Sequence, residues 1–358
     1  MTINNEHNKL NVPNLRFPEF QEEWEEYRIE DITVNISSGR CKSHSSNGKY
    51  NLYGSTGIIG KTDEACYEGN LVLVARVGAN AGFLQIINEP CGITDNTLII
   101  KPKEVDVQYI YYFLQHFNLN RLIFGSGQPL ITGGMLKKVK VSLGTIQEQN
   151  KITRLLSILD ERITTQNKII DKLQSLIKGI AQHCIRELIN GWEYVRLGDI
   201  CKITTGKLDA NAQVENGQYP FFTCAERPFN IDSYAFDTEA LLISGNGANL
   251  GYINYYKGKF NAYQRTYVLD HFSVNIQYVK WALKVLLPQR IAIEKSSSNT
   301  PYIVLSTLAD LKIPIPNNSK QNHIADLMMS FERKLSTQLV LSDLYNKQKQ
   351  YLLRQMFI

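Results

Sequence analysis

The sequence lacks the features of several large protein classes. No run approaches the roughly 18 consecutive apolar residues that a membrane-spanning helix needs. The N-terminal stretch MTINNEHNKL has neither the apolar core nor the cleavage site of a secretory signal. The six cysteines form no C-x-x-C pair and no close cluster with histidine, so we expect reduced thiols and no metal site. These absences favour a cytoplasmic protein with no membrane segment.

The motifs of common enzyme classes are also missing. Gly60-Lys61-Thr62 ends like a phosphate-binding loop, but Ser55 stands where the first glycine is required. Gly245 to Gly251 resembles a dinucleotide fingerprint whose last glycine comes one residue late. No N-P-P-Y, H-E-x-x-H or G-x-S-x-G motif occurs. We therefore predict no catalytic residue and no cofactor in this chain. A catalytic site assembled from distant residues is the alternative left open.

Charge is unevenly distributed along the chain. The net charge is +5, but residues 1–30 hold seven acidic and three basic side chains and so carry −4, which leaves +9 on the remainder. A moderately basic body suits nucleic acid, although many other proteins are as basic. The length of 358 residues suggests two or three domains.

An internal repeat organises the sequence. Matching segments recur at a nearly constant offset of 167 to 172 residues, far longer than the unit of a solenoid, so the chain is read as a duplicated domain pair. Paired segments include Ile36-Ser-Ser-Gly-Arg40 with Ile203-Thr-Thr-Gly-Lys207, Gly78-Ala-Asn-Ala-Gly82 with Gly247-Ala-Asn-Leu-Gly251, and Glu148-Gln-Asn-Lys-Ile152 with Lys320-Gln-Asn-His-Ile324.

Each copy begins with a globule of mixed structure. Short apolar runs at 70–75, 97–100, 240–244 and 266–269 are typical of strands, and clusters of Gly, Ser and Asn separate them. A short helix is predicted near 107–117 and near 276–287. The two globules are therefore expected to be similar α+β domains.

Each copy ends in a long helix, predicted at 146–185 and 319–358. Thr145 and Glu148 form a capping box at the first helix start, and Ser319 is the expected N-cap of the second. Apolar residues then step by four and three, which is the pattern of a coiled-coil seam. The seam residues are Ile152, Leu156, Leu159, Ile163, Gln166, Ile170, Leu173, Ile324, Met328, Phe331, Leu335 and Gln338.

Gln166 and Gln338 occupy matching seam positions at the middle of the two helices. If the helices run antiparallel, the two amides should meet and fix the register of the pair. The alternative is two exposed glutamines on a frayed seam.

The order of globule, heptad helix, globule and heptad helix resembles the specificity subunit of type I restriction-modification systems. Several short segments are similar to sequences of that family, among them Asn14-Leu-Arg-Phe-Pro-Glu-Phe20, Gly125-Ser-Gly-Gln-Pro-Leu-Ile131 and Glu148-Gln-Asn-Lys-Ile152. The resemblance spans nearly the whole chain. The second copy departs from it, with Ser298-Asn-Thr-Pro in place of Gly-Gln-Pro and Lys320 in place of Glu148.

The resemblance implies a fold and a role. It implies two α+β target recognition domains, at 1–144 and 188–317, with internal pseudo-twofold symmetry. Two long helices, at 145–187 and 318–358, would form an antiparallel coiled coil between them. Each domain would read half of an asymmetric, bipartite site in double-stranded DNA. The helices would dock two modification (methyltransferase) subunits, which carry S-adenosylmethionine, and a restriction (motor-nuclease) subunit can join. A 40-residue helix is about 60 Å long, enough to separate two half-sites by a helical turn of DNA or more.

Candidate DNA contacts lie on turn-rich segments that combine basic and amide side chains. Arginine suits guanine, asparagine and glutamine suit adenine, and lysine more often holds phosphate. The candidates are Arg40, Lys42, Ser43, His44, Asn47, Lys49, Arg76, Asn80 and Gln128 in the first globule, and Lys207, Asn211, Asn246, Asn249, Gln264, Arg265, Ser297 and Asn299 in the second. The alternative for Asn80 and Asn249 is a purely structural turn with the asparagine in the left-handed region.

Rival functions remain at this stage. A stand-alone DNA-binding regulator would need no further partner, whereas leucines off the seam suggest partner surfaces on the helices. These leucines are Leu155, Leu176, Leu339, Leu341, Leu344 and Leu353. A structural coiled-coil scaffold would not bind DNA in a salt-dependent way, and an enzyme with a novel site would show turnover on its own.

Overall fold

A computed structural model describes residues 11–41, 45, 47–123, 128–187, 191–295 and 302–358. The strands are β1 (Glu25–Arg28), β2 (Thr33–Ser38), β3 (Tyr50–Gly54), β4 (Gly57–Thr62), β5 (Leu71–Ala75), β6 (Leu84–Ile87), β7 (Cys91–Ile93), β8 (Thr97–Pro102), β9 (Lys140–Leu143), β10 (Glu193–Arg196), β11 (Lys202–Thr205), β12 (Tyr219–Phe222), β13 (Phe229–Ile231), β14 (Phe236–Ser244), β15 (Ile253–Ala262), β16 (Thr266–Asp270) and β17 (Lys312–Ile315). The helices are α1 (Val107–Phe117), α2 (Gly133–Lys137), α3 (Ile146–Gln182), α4 (Leu197–Ile200), α5 (Ile276–Lys295), α6 (Leu305–Ala309) and α7 (Asn318–Met356).

The chain divides into two compact units. Unit 1 comprises the described residues up to 167 together with 341–358, and unit 2 comprises 168–340. Each unit therefore contains one α+β globule, one part of α3 and one part of α7. The three sequence-based boundaries, at 144, 187 and 317, follow chain segments rather than these units and stay predictions.

The sheets of the two units share a strand order. In unit 1, β2-β8-β5-β6 form a four-stranded sheet and β4-β3-β7 a three-stranded one. In unit 2, β11-β16-β14-β15-β12-β13 form one six-stranded sheet. The long strand β15 replaces both β6 and β7, which Pro90 separates in unit 1. Proline has no backbone N–H to donate to a ladder, so it interrupts a strand at this point.

The start of each globular helix is tied to the start of a long helix in the same way. Asp106 caps α1 by accepting from the Tyr109 amide at 2.8 Å, and its own amide donates to the Gln149 side chain at 3.3 Å. In unit 2, Asn275 accepts from the Tyr278 amide at 3.1 Å and donates to Gln321 at 3.0 Å. The repeated sequence segments thus have one structural role in both copies.

The cores join each globule to both long helices. In unit 1, Ile152, Leu156 and Leu159 of α3 pack with Leu352 and Met356 of α7 and with the globule. In unit 2, Ile177 of α3 and Ile324 and Met328 of α7 pack in one cluster with the second globule. The burial of these residues is consistent with the seam pattern, and the full heptad seam stays a prediction.

The helix segments run antiparallel within unit 1. Lys349 forms an ion pair with Asp160 at 2.6 Å, and Ser342 bonds Asn167 at 3.1 Å, so the numbering falls on one helix as it rises on the other. Gln166 is buried and Gln338 is half-buried, but they belong to different units. That their amides meet stays a prediction.

Three details of the helices differ from the sequence-based expectation. The Glu148 amide bonds the Thr145 hydroxyl at 3.3 Å, but both carboxylate oxygens of Glu148 accept from Arg16 instead of closing a capping box. The second long helix begins at Asn318, where Asn317 accepts from the Lys320 amide at 3.0 Å, so Ser319 is not the N-cap. Leu353 is buried in the core of unit 1 and presents no partner surface.

Candidate nucleic-acid interface

Backbone hydrogen bonds gather several loops at one end of the sheet in unit 1. The Arg76 amide donates to the Asn96 carbonyl at 2.9 Å, and the Ile131 amide donates to the Arg76 carbonyl at 2.8 Å. The Ser55 hydroxyl reaches the Asn96 carbonyl at 3.1 Å. We call the resulting surface loop end 1, defined by Arg40, Arg76, Asn80, Asn96 and Gln128. All of these are exposed except Arg76, which is half-buried and donates to Ser38 at 3.4 Å.

Unit 2 builds an equivalent surface from equivalent loops. The Gly245 amide donates to the Arg265 carbonyl at 2.8 Å, and the Gln264 amide donates to the Leu208 carbonyl at 2.9 Å. The Asn249 side chain donates to the Cys224 carbonyl at 3.0 Å. Loop end 2 is defined by Lys207, Asn246, Asn249, Gln264 and Arg265. Lys207, Gln264 and Arg265 are exposed, and the two asparagines are half-buried.

A close backbone crossing positions the first basic residue of each surface. A Cβ atom on Gly39 would lie 2.3 Å from the Ile93 and Thr94 carbonyl oxygens, and one on Gly206 would lie 1.9 Å from the Ala262 oxygen. Only glycine fits where two backbones approach so closely. The residues that follow, Arg40 and Lys207, are thereby held at the edge of the surface.

The Gly-Ala-Asn-x-Gly segments form one turn in both units. The Gly82 amide donates to Ala75 and the Gly251 amide to Ser244, at 2.9 and 2.8 Å. Gly78, Gly82, Gly247 and Gly251 all have φ between 79° and 88°. The segments therefore form a turn, but the alternative that placed Asn80 and Asn249 in the left-handed region is wrong in that detail, because the glycines adopt that conformation.

Other sequence-based candidates lie elsewhere or cannot be placed. Asn47 and Lys49 precede β3, whose first residue pairs with Thr62, whereas the far end of that hairpin carries Ser55 at loop end 1. The hairpin therefore separates these two residues from Ser55 by about 15 Å, the length of five strand residues. The thiol of Cys41, which follows Arg40, lies 3.6 Å from the Thr62 hydroxyl and so at their end of the hairpin. Asn211 lies on an exposed turn beyond Leu208. Lys42, Ser43, His44, Ser297 and Asn299 lie outside the described residues.

Asn96 is an exposed residue of loop end 1 that the sequence-based list missed. It lies 169 positions before Arg265, the offset of the Gly-Ala-Asn-x-Gly pair, and the two carbonyls accept from Arg76 and Gly245 in the same way. The repeat alignment therefore contained the signal. The equivalent positions carry an amide in one unit and a guanidinium in the other, which suit different bases.

Loop end 2 is stiffened beneath its polar side chains. The Tyr267 hydroxyl donates to the Ile303 carbonyl at 2.9 Å, and the Ile303 amide donates to the Gly245 carbonyl at 2.8 Å. Burial raises the pKa of Tyr267, although the charge of Arg265 acts in the opposite direction. The phenol therefore keeps its proton at neutral pH and holds the segment after residue 301 against the turn at Gly245.

The described part of the chain shows no cluster of three or more His, Cys, Asp or Glu residues that could hold a metal ion. Among the same residues, no helix is long and apolar enough to cross a membrane.

The family model for the type I restriction modification DNA specificity domain matches residues 21–175 and 189–340. The chain belongs to this family. Both matches begin near the start of a globule and continue into a long helix, so the family's repeat coincides with the duplication seen in the sequence. The family assignment agrees with the resemblance noted from the sequence.

Individual members of the type I specificity family match to different extents. The EcoDI specificity subunit of Escherichia coli is 44% identical over 38% of this chain, and the match spans 30% of that protein. The MjaIX specificity subunit of Methanocaldococcus jannaschii is 25% identical over 70% of this chain and 67% of its own length. The S subunit structure from M. genitalium has a TM-score of 0.73 at 19% identity and covers 97% of this chain and 99% of that one, which shows the shared fold.

Proposed function

We propose that this chain is a non-catalytic, sequence-specific DNA-recognition subunit of a type I restriction-modification complex and works in the cytoplasm. It reads an asymmetric, bipartite site in double-stranded DNA, with one half-site for each loop end. The observation that carries the proposal is the pair of loop ends, which share a backbone frame but differ in side chains. The clearest differences are at two equivalent positions: Asn96 of unit 1 corresponds to Arg265 of unit 2, and Arg76 corresponds to Gly245. One frame with two sets of side chains suits two unlike half-sites.

The chemistry of the loop ends fits base recognition. Arg265 can donate two hydrogen bonds to the O6 and N7 of guanine, and Asn96 can bond both the N6 and N7 of adenine. Arg40 and Lys207 stand at the edge of each surface, where a cation suits phosphate. Because the loops are cross-linked by backbone hydrogen bonds, these side chains are presented by a rigid base, which lowers the entropy cost of binding.

Partner subunits complete the proposed complex. Two modification subunits would carry S-adenosylmethionine and methylate adenine, and a restriction subunit would join them. The exposed leucines Leu176, Leu339 and Leu344, which are 50%, 47% and 54% exposed, support docking on α3 and α7. A structural neighbour with a TM-score of 0.57 at 14% identity belongs to a type I restriction-modification system described for its complex assembly.

The experiment is to map methylated adenines in DNA from cells that express the chain with its modification subunits. The expected result is one bipartite site with two unlike half-sites. Arg265→Ala should then weaken recognition at a base pair of one half-site by about tenfold or more, and Asn96→Ala at the other half-site. Arg196→Ala is the matched control, because Arg196 lies at the end of the exposed strand β10, away from loop end 2, and pairs with Asp199 of α4.

The outcomes separate clearly. Equal loss by Arg265→Ala on unrelated sequences would make Arg265 a phosphate contact. Unchanged binding by both variants would remove the loop ends as the reading surface, and the absence of any sequence-specific methylation would overturn the proposed function.

A further inference from the structure

An exposed aromatic ring stands beside the loop end of both units. Phe83 and Tyr252 follow the Gly-Ala-Asn-x-Gly turn directly and are 48% and 40% exposed. They are 169 residues apart, the offset of the turns themselves. Single exposed apolar residues are common and need no explanation, but a large ring repeated at one position of two diverged copies is a different observation.

The backbone places both rings identically. The Phe83 amide donates to the Asn80 carbonyl at 3.0 Å, and the Tyr252 amide donates to the Asn249 carbonyl at 2.9 Å. The carbonyl of Phe83 accepts from Ala75 at 2.8 Å, and that of Tyr252 accepts from Ser244 at 3.0 Å. The turn is thus built from backbone groups and glycines, so a polar side chain would serve it equally well.

Strand alternation gives the direction of each ring. Residues two apart share a face, so Phe83 shares a face with Gln85, whose amide donates to the Gly54 and Ser55 carbonyls at 3.0 and 3.1 Å. Ser55 also bonds the Asn96 carbonyl, which is part of loop end 1. The ring of Phe83 therefore lies on the side of the sheet where the β3–β4 turn meets loop end 1.

The same relation holds in unit 2. Tyr252 shares a face with Tyr256, whose ring lies 5.4 Å from that of Phe222 at the end of β12. The segment after β12 contains Cys224, whose carbonyl accepts from the Asn249 side chain of loop end 2. Each ring therefore borders the polar residues proposed to read bases.

We propose that Phe83 and Tyr252 are apolar base contacts, each packing against the 5-methyl group of a thymine in the half-site read by its own unit. This inference rests on the proposed function, since it adds an apolar contact to the same two surfaces. The thymine methyl is the apolar group that base pairs present in the major groove, where asparagine and arginine at the loop ends would find their own partners. Covering a half-exposed ring and a methyl group together removes apolar area from water.

The test uses the full chain assembled with its modification subunits and duplexes carrying the mapped site. Each thymine of the site is replaced singly by uracil, which removes only the 5-methyl group, and the Kd is measured at one fixed salt concentration. For the native complex, one replacement in each half-site should weaken binding by about fourfold, the expected effect of one buried methyl-sized group.

The variants identify which ring is responsible. Phe83→Ala should weaken binding by about tenfold and make binding insensitive to uracil at one position in the first half-site, while the second half-site keeps its response. Tyr252→Ala should show the converse. Phe83→Leu, which keeps an apolar side chain, should retain most of the affinity and the uracil response.

Val34→Ala and Tyr194→Ala are the matched controls. These residues are 63% and 52% exposed but lie on β2 near its start and on β10, away from the loop ends. They should leave the Kd and the uracil response unchanged.

The inference is overturned if Phe83→Ala and Tyr252→Ala bind like the native complex while Asn96→Ala and Arg265→Ala do not. It is also overturned if no uracil position affects binding. If all four variants bind like the native complex, the loop ends are not the reading surface, and the inference fails with that part of the proposal. The absence of any sequence-specific methylation would instead overturn the proposed function itself.

Discussion

The carboxylate of Glu148 accepts hydrogen bonds from both nitrogens of the Arg16 fork, at 2.7 and 2.9 Å. The Trp24 indole donates to the same carboxylate at 3.0 Å. The Glu148 side chain is fully buried and that of Arg16 is 14% exposed. The segment before β1 is thereby fastened to the first turn of α3. The hydrogen bond to Glu148 raises the pKa of Arg16, so the guanidinium stays charged at any practical pH.

Removing Arg16 should destabilise unit 1 strongly. Arg16→Ala leaves a buried carboxylate without its cation, and we expect a loss of roughly 3 to 5 kcal/mol in the free energy of unfolding. Urea denaturation followed by tryptophan fluorescence measures it. Arg28→Ala is the control, because Arg28 pairs with Glu30 at the surface and should cost at most about 1 kcal/mol. Equal effects of the two variants would contradict the prediction.

Acid should weaken unit 2 through Glu332. Burial raises the pKa of this carboxyl, but the hydrogen bond from Lys280 and the charge of Lys284 outweigh burial and lower it below 4.5. A carboxyl with a lowered pKa stabilises the fold above its ordinary value, and that stability is lost as pH falls through the folded value. The stability gap between native chain and Glu332→Gln should therefore be widest near pH 7 and narrow below pH 4.5.

Chemical denaturation across this pH range checks the Glu332 prediction. Asp199→Asn is the comparison variant, because the Arg196–Asp199 pair is exposed. A gap between native chain and Glu332→Gln that stays constant from pH 7 to pH 3.5 would show that Glu332 contributes nothing through its charge.

Two glycines of unit 2 should respond oppositely to alanine. Gly206→Ala places a Cβ 1.9 Å from the Ala262 oxygen, so the crossing must open, at a cost of roughly 2 to 4 kcal/mol. Gly179 lies inside α3 with nothing within 4 Å of a Cβ, so Gly179→Ala should stabilise by up to about 1 kcal/mol. Thermal unfolding distinguishes the two, and a Gly206→Ala protein as stable as the native one would disprove the close approach.

Salt should reveal which cations hold phosphate. If Lys207 contacts a phosphate, Lys207→Ala should weaken binding to all DNA sequences alike and lower the slope of log K against log salt by about one. Lys202→Ala is the control, because Lys202 begins β11 at the end away from loop end 2. An unchanged slope, or loss confined to one sequence, would exclude a phosphate role for Lys207.

Local signals in the sequence predicted local structure well. The helix at 107–117 has the predicted bounds, because Asp106 caps it and its apolar residues keep helical spacing. Contacts between residues far apart in the chain could not be predicted from the sequence. The Thr145–Glu148 pattern predicted a capping box, but Arg16, 132 residues away in the sequence, binds the carboxylate more strongly than a backbone amide would. The helix predicted to 287 continues to Lys295 with Pro288 inside it.

At the candidate interface, too, local turns were predicted from the sequence but the grouping of distant residues was not. The repeat identified the turns at Asn80 and Asn249, and their common geometry followed from the glycines. The grouping of Arg76 with Asn96, however, depends on strand order, since β5 and β8 are neighbours in the sheet but not in the chain. Likewise, the sequence did not show that Lys49 lies at the end of the β3–β4 hairpin opposite Ser55, which depends on the pairing of Tyr50 with Thr62.

The ring of Phe357 lies 5.1 Å from that of Tyr109, and Met356 and Leu352 are buried in the same core. During translation, the segments that build the first globule emerge long before these residues exist. At about 5 to 20 residues per second, the ribosome needs roughly 10 to 40 s to make the segment between the end of the first globule, near residue 144, and Leu352. Until Leu352, Met356 and Phe357 are made, the apolar residues around Tyr109 that they cover stay exposed to solvent. Exposed apolar surface of this kind is what chaperones bind on a nascent chain.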